Sequence, residues 1–379
     1  MKIVIAPDSF KGSLSAASAA EAIAAGVRRC LPDADIIQLP IADGGEGTLD
    51  SLLAAAGGER ITLSVTGPLG KPVEASYGLV RHTAVIEMAE ASGLCLLTEG
   101  ERNPALATTY GTGELIRHAL DQGCRRFLLT VGGSATNDGG TGMLQALGMR
   151  LLNRDGRSVL PGGGHLAEIV AIDDSYWDTR VAESSFVIAT DVQNPFVGEQ
   201  GASRIFSQQK GASPEMIEQM EVGMASWADL IEARTGTRLH DRPGAGAAGG
   251  LCGAYLAFFP ASISRGIDVV LEHVRMKEHL TGADLVLTGE GRIDHQTASG
   301  KAPMGVAQLA SQHGVPTIAL AGSVGPGIEA LYAEGICSVH SIMQSTISLQ
   351  EAIEQASDLL EQTAEQVVRT FLAGRKAAQ

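Results

Sequence analysis

Short apolar runs recur along the chain. Each one breaks into glycine or acidic residues before an Ala/Leu-rich stretch begins. KIVIAP precedes DSFKGS and then SAASAAEAIAAGVRR. ADIIQLPI precedes ADGGEGT and a helix predicted near Leu49 to Ala56. RRFLLTV leads into GGSATNDGG and GMLQALG, and ESSFVIA into TDVQNP. ADLVL leads into TGEGRIDHQTASGKAP and MGVAQLASQHG, and PTIAL into AGSVGPG and a short helix. β-rich runs bounded by turn residues predict strands, and the longer Ala/Leu stretches predict helices. Strand, polar loop and helix in alternation predict parallel sheets covered on both faces, with ligands beyond the carboxyl ends of the strands. One segment departs from this pattern. ITLSVTGPLGKPVEASYGLVRHTAVIEMAE reads as consecutive strands and predicts a mixed sheet. Residues 211–261 read as helical, and Ser348 to Phe371 as one long helix. Ser18 and Glu21 have capping-box spacing, either at the start of the first helical run or inside it.

The length of 379 residues, 44% of them hydrophobic, favours two domains over one. Glycine accounts for 47 residues, nearly double ordinary usage, and gathers in short polar motifs rather than a period. The five cysteines are far apart, odd in number and without a C-x-x-C, so buried thiols in a reducing cytosol fit better than disulfides or zinc. The opening MKIVIAPDSF is too short an apolar run for a signal peptide, and no stretch reads as a membrane span. These features lead us to expect a cytoplasmic protein. The net charge of −15 makes nucleic acid a poor partner. An anionic small ligand would bind only where cations and backbone N–H groups converge, so basic residues inside glycine loops carry more information than others.

Several loops offer such chemistry. In TVGGSATNDGGTGMLQALG, five of the glycines fall within about a dozen residues, next to Ser134, Thr136, Asn137 and Asp138. With Asn137 or Asp138 as N-cap, a helix start there can bind phosphate or carboxylate; an ordinary capped turn is the plain alternative. There is no Walker A motif and no kinase H-R-D or D-F-G element. PDSFKGS places Asp8 and Lys11 after the first strand, as metal ligand or proton acceptor and as phosphate partner, or as a solvated turn. Asp43 and Glu46 in ADGGEGT suit Mg2+ through oxygen and water, or a capped helix start. Glu290, Arg292, Asp294, Thr297 and Lys301 form the densest group and can clamp a nucleotide-bound metal and phosphates. Asp191 in TDVQNP is the preferred general base, since a hydroxyl being phosphorylated needs a carboxylate to take its proton. Lys210 lies before an evident helix start. GAGAAGG matches G-x-G-x-x-G with Asp268 at dinucleotide spacing, but RTGTRLHDRP before it is a poor strand.

Taken in order, APDSFKGSLSA, PIADGGEGT, GGSATNDGGTGMLQALG, TDVQNPFVGEQGA, the QKGA run, GAGAAGGLCGA and LTGEGRIDHQTASGKAPMGVA resemble the bacterial type 1 glycerate kinases nearly end to end. One local departure is Thr190, where a small residue, often Cys, is expected. The resemblance implies transfer of the γ-phosphoryl of ATP to a hydroxyl of D-glycerate, with Mg2+. The product would be 2-phosphoglycerate; a 3-kinase giving 3-phosphoglycerate is the alternative, and an NAD-dependent oxidoreductase a distant one. It also implies two α/β domains with parallel or mixed sheets covered by helices, and a site in the cleft. One is a discontinuous Rossmann- or flavodoxin-like domain of residues 1–66 and 282–379; the other, residues 67–281, is inserted into it. Asp191, Lys11 and Lys301 are the catalytic candidates, and Asp8, Ser9, Arg292 and Asp294 the substrate contacts. Gly133, Ser134, Thr136, Asn137, Asp138 and Gly246 are the ATP contacts, and Asp43, Glu46 and Glu290 the metal ligands. A homodimer is left open.

Overall fold

A computed structural model of the chain describes residues 1–297 and 300–377; Ala298 and Ser299 of the TGEGRIDHQTASGKAP motif lie outside them. The strands are β1 (Lys2–Pro7), β2 (Asp35–Gln38), β3 (Glu59–Thr66), β4 (Pro72–Val80), β5 (Thr83–Glu87), β6 (Arg126–Thr130), β7 (Arg150–Leu152), β8 (Ala171–Asp173), β9 (Ser185–Ala189), β10 (Ala261–Ser264), β11 (Leu285–Ile293), β12 (Thr317–Val324) and β13 (Ile336–Ser341). The chain divides into two compact units. One comprises Met1–Asp43, Asp50–Gly57 and Arg265–Gln379; the other comprises Gly44–Leu49 and Gly58–Ser264.

The first unit holds a sheet in the order β13-β12-β11-β1-β2, parallel throughout. Both ends of the chain therefore build one sheet. From β1 the chain steps to β2 on one side and returns much later as β11 on the other. The junction of β1 and β11 is thus the switch point where an open α/β sheet leaves a crevice for ligands. The helix Ala16–Cys30 starts at Ser15, whose hydroxyl accepts from Ser18 N–H, so Ser18 is inside the helix rather than its cap. Its small buried face, including Ala19, Ala20, Ile23 and Val27, packs with Leu360, Ala364 and Val368 of the helix Ala356–Ala377. The C-terminal segment is two helices rather than one. Leu349–Glu354 begins with a Ser348/Glu351 capping box and stops at Gln355, and Ala356–Ala377 follows.

The second unit holds a mixed sheet in the order β10-β9-β6-β5-β4-β3, with a separate β7-β8 ribbon. β3, β4 and β5 pair antiparallel, and β5, β6, β9 and β10 pair parallel, matching the run of consecutive strands expected from the sequence. β3 pairs with β4 along its whole length, which places residues 58–66 in this unit rather than with the chain ends. Its core holds most of the large rings: Trp227, Tyr77 and Tyr255 are fully buried, and Phe127 stacks on Phe186 with centroids 4.5 Å apart. Residues 236–250 contain no strand, so the expected helical stretch 211–261 is two helices, Pro214–Thr235 and Leu251–Phe258, joined by turns. GAGAAGG therefore lacks the leading strand that a dinucleotide fingerprint requires. No helix among the described residues is long and apolar enough to cross a membrane.

Gly26 marks a close approach of the helix Ala16–Cys30 to the helix Ala356–Ala377. A Cβ there would stand 2.9 Å from Ala364 Cβ and closer still to the Glu361 carbonyl oxygen. Gly26→Ala should cost about 1–3 kcal/mol through overpacking. Gly12→Ala, at φ +77° in open space, should cost about 1 kcal/mol or less, so urea unfolding should rank the two variants in that order.

Candidate functional site

At the switch point of the first unit, the β1–β11 ladder pairs Pro7 with Gly289, and Asp8 N–H donates to the Gly289 carbonyl at 2.8 Å. That register brings Asp8, just past β1, beside Glu290 of β11. Both are buried, with 7% of each residue's surface exposed. Burial pushes the Asp8 carboxyl up to about 7, the nearby charges of Asp43 and then Glu290 push the same way, and the Ser9 N–H and Lys11 oppose them. Ser9 N–H donates to Asp8 Oδ1 at 2.6 Å, so the half-buried Ser9 supports that carboxylate through its backbone. Lys11 is exposed.

The rest of this group follows β11. Glu290 accepts from Thr297 Oγ1 at 2.7 Å and from Lys301 Nζ at 3.4 Å; burial raises its carboxyl while these two partners resist. Asp294 accepts from the Gln296 N–H at 2.9 Å and from Arg292 Nε at 2.8 Å, and both bonds hold its carboxyl below the usual range. Lys301 is the N-cap residue of the helix Ala302–Gln312, with Pro303 in its first turn. One small region of the first unit therefore holds Asp8, Ser9, Asp43, Glu290, Thr297 and Lys301, with the Arg292–Asp294 pair alongside. Among the described residues no three side chains form a cage able to hold a metal ion. Mg2+ travelling with a nucleotide needs only one or two carboxylates besides waters and phosphates, and Asp8, Asp43 and Glu290 have the donor chemistry and mutual repulsion that suit one.

In the second unit, Asp138 is fully buried and accepts from Thr109 N–H at 2.8 Å, Thr109 Oγ1 at 2.9 Å, Gly140 N–H at 3.1 Å and Gly142 N–H at 3.2 Å. Burial raises its carboxyl, and these four donors counter that. The expected anion site at this helix start is therefore taken by the chain's own carboxylate. The N-cap residue of the helix Thr141–Ala146 is Gly140, with φ +77°, not Asn137 or Asp138. Asn137 and Thr136 are also fully buried; Asn137 Nδ2 donates to Ser203 Oγ at 3.0 Å. Gly246 is buried too, and its N–H donates to the Asn194 carbonyl at 3.0 Å. None of these four residues presents its side chain or N–H outward. Sequence spacing showed polar groups in a glycine loop but not which way they turn.

Gly133 and Ser134 behave differently. With Gly132 they line a cavity of about 150 Å3 at the carboxyl ends of β6 and β9. Lys210 lines it as well, and its Nζ donates to Ser134 Oγ at 2.8 Å and to the Thr136 carbonyl at 2.6 Å. The sequence marked Lys210 only as the residue before a helix. Its burial follows from the Ser207–Gly211 turn, which aims the side chain inward. Asp191 is exposed just past β9, after the buried Thr190, whose hydroxyl accepts from Val192 N–H at 3.2 Å. Glu46 is exposed in this unit; the Cys95 thiol is pushed up by burial and then by the Glu46 charge.

The sequence profile of the Glycerate kinase family matches residues 3–372. A glycerate kinase of Bacillus subtilis is 49% identical over 373 residues, 98% of each chain. A glycerate 2-kinase of Escherichia coli is 44% identical over 380 residues, the whole of both. A crystal structure of a Salmonella typhimurium LT2 protein assigned as glycerate kinase 2 superposes with a TM-score of 0.91 at 46% identity, covering 99% of each chain. With the profile spanning nearly all of it and these relatives matched end to end, the chain belongs to the glycerate kinase family and is a phosphotransferase with an alcohol acceptor.

Proposed function

We propose that this chain transfers the γ-phosphoryl of ATP to the 2-hydroxyl of D-glycerate, giving 2-phosphoglycerate. The observation that carries the reading is the buried pair Asp8 and Glu290, with the half-buried Asp43 near both and Lys301 on Glu290, at the switch point of a parallel sheet. Phosphoryl transfer asks a protein mainly to position charged groups and to neutralise charge as it moves. The full-length likeness to a glycerate 2-kinase supports the 2-hydroxyl as acceptor. Attack by the neighbouring 3-hydroxyl is the alternative, and a displacement of about an ångström would separate the two.

In this reading Lys11, Arg292 and Lys301 meet anionic oxygens of the substrates, and Asp8, Ser9 and Asp294 orient the acid. Within the first unit Asp43 and Glu290 are the candidates to hold Mg2+. When bound, that ion would offset negative charge on the phosphoryl oxygens. Gly133 and Ser134 remain as nucleotide contacts, since they line an open cavity. Asp191, exposed beyond β9, takes the hydroxyl proton.

Phosphorus NMR of the product formed from D-glycerate and Mg·ATP should place the new phosphate on C2, and a signal on C3 would move the assignment to a 3-kinase. Asp191→Asn should lower kcat at least about 100-fold and leave KM for ATP within a few-fold. Near-normal turnover would remove Asp191 as the base.

Asp8 also sets a pH dependence of stability. Its folded carboxyl, at about 7, stands above the ordinary 3.8, so the folded state keeps a proton that the unfolded chain has lost across that window. The group adds no penalty below the lower value and destabilises the fold as pH rises through 7. Without nucleotide, Asp8→Asn should raise the unfolding free energy at pH 8 by roughly 2–4 kcal/mol and have little effect at pH 4. Urea titrations at the two pH values measure the difference.

A further inference from the structure

No Lys or Arg among the described residues is buried except Lys210, which is 2% exposed. It forms no ion pair among them. An ammonium carries three N–H donors. Two are used on neutral acceptors, Ser134 Oγ and the Thr136 carbonyl. The third is left on the side chain that lines the 150 Å3 cavity with Gly133, Ser134, Val192, Phe206 and Gln209. Removing a cation from water without a counter-charge is costly, and a neutral side chain could bridge the same two acceptors without that cost. The apolar walls of Val192 and Phe206 lower the local dielectric and strengthen any attraction to a charge placed there. The volume, several times that of a water molecule, suits a carboxylate or a phosphate group.

We propose that this cavity binds a substrate oxyanion, either the carboxylate of the hydroxy acid or a phosphate of the nucleotide, and that Lys210 is the residue that binds it. The inference rests on the reading of the chain as a kinase of a small hydroxy acid and names the subsite that reading left without a cation in the second unit. Burial pushes the Lys210 ammonium down to about 7, with Asp138 the charged group acting in the other direction. The residues that line the cavity beside it, from the loop after β6, the turn after β9, residues 206–209 and residues 247–248, bring no further charge. At pH 8 the amine's two N–H donors meet Ser134 Oγ and the Thr136 carbonyl, and an oxyanion in the cavity favours uptake of the proton that supplies the third donor.

The test is calorimetry of the whole protein at pH 8 in two buffers of different ionisation enthalpy. The probes are D-glycerate and inorganic sulfate, neither of which titrates there. The expected result is proton uptake approaching one per site with at least one probe. In Lys210→Gln that uptake should vanish and the same probe should bind at least 10-fold more weakly, while the unfolding temperature does not fall. Uptake with glycerate assigns the cavity to the carboxylate; uptake with sulfate assigns it to phosphate. The proposal is overturned if neither probe binds at millimolar concentration, if both bind without uptake, or if Lys210→Gln binds both as tightly as wild type. Should Lys210→Gln fail to fold, Lys210→Arg, whose guanidinium does not titrate at pH 8, should bind the same probe without proton uptake, and uptake that persists in it overturns the proposal. If Lys210-dependent binding is seen but D-glycerate is not phosphorylated, the substrate reading fails and the oxyanion subsite stands.

Discussion

The pairing of β1 with β11 fixes where the chemistry of the first unit can be. It opposes Pro7 and Gly289 and ties Asp8 N–H to the Gly289 carbonyl. One residue of slip would turn Glu290 to the other face of the sheet and undo the group. In the observed register two carboxylates are held out of water beside one another, with Asp43 adding to their repulsion. A fold keeps such an arrangement only where the ladder and the packed helices around it outweigh the electrostatic cost. Strain of that kind is common at functional sites and uncommon elsewhere.

The second unit handles buried charge in two contrasting ways. Asp138 is enclosed by four donors, two of them N–H groups at the head of a short helix, and so serves as a structural pin. Lys210 has only neutral partners. Both residues adjoin the loop after β6, but one carries its full complement of hydrogen bonds and the other has a donor to spare. Satisfied buried polar groups make a fold rigid; unsatisfied ones point to a missing partner.

Much of this was legible in the residues. Short apolar runs ending in glycine or acid placed β1, β6, β9, β11 and β12, and the unbroken run from Ile61 to Glu90 announced the antiparallel part of the mixed sheet. The loops richest in polar groups did follow strands. What spacing could not supply was direction. Asp138 has the composition of a cap in an anion-binding loop, yet its carboxylate fills the place an anion would take. Lys210 reads like any lysine before a helix, because burial depends on contacts with Ser134 and Thr136, more than seventy residues away. Gln355 carries no breaker signal, so the end of the Leu349–Glu354 helix was invisible. The resemblance to glycerate kinases named the family, whereas hydrogen bonds and exposure separated structural residues from candidates.

The sheet of the first unit takes β1 and β2 from the start of the chain and its other three strands from residues beyond 284. During synthesis, β1 leaves the ribosome long before β11 exists. Gly58–Ser264 is continuous and can close its own core in the meantime. The earliest strand made can pair with β2 at once on one side, but its other edge waits for β11, and until then those N–H and C=O groups are open to other chains. That edge stays open for longer in a chain of this topology than it would in one with its strands in simple succession.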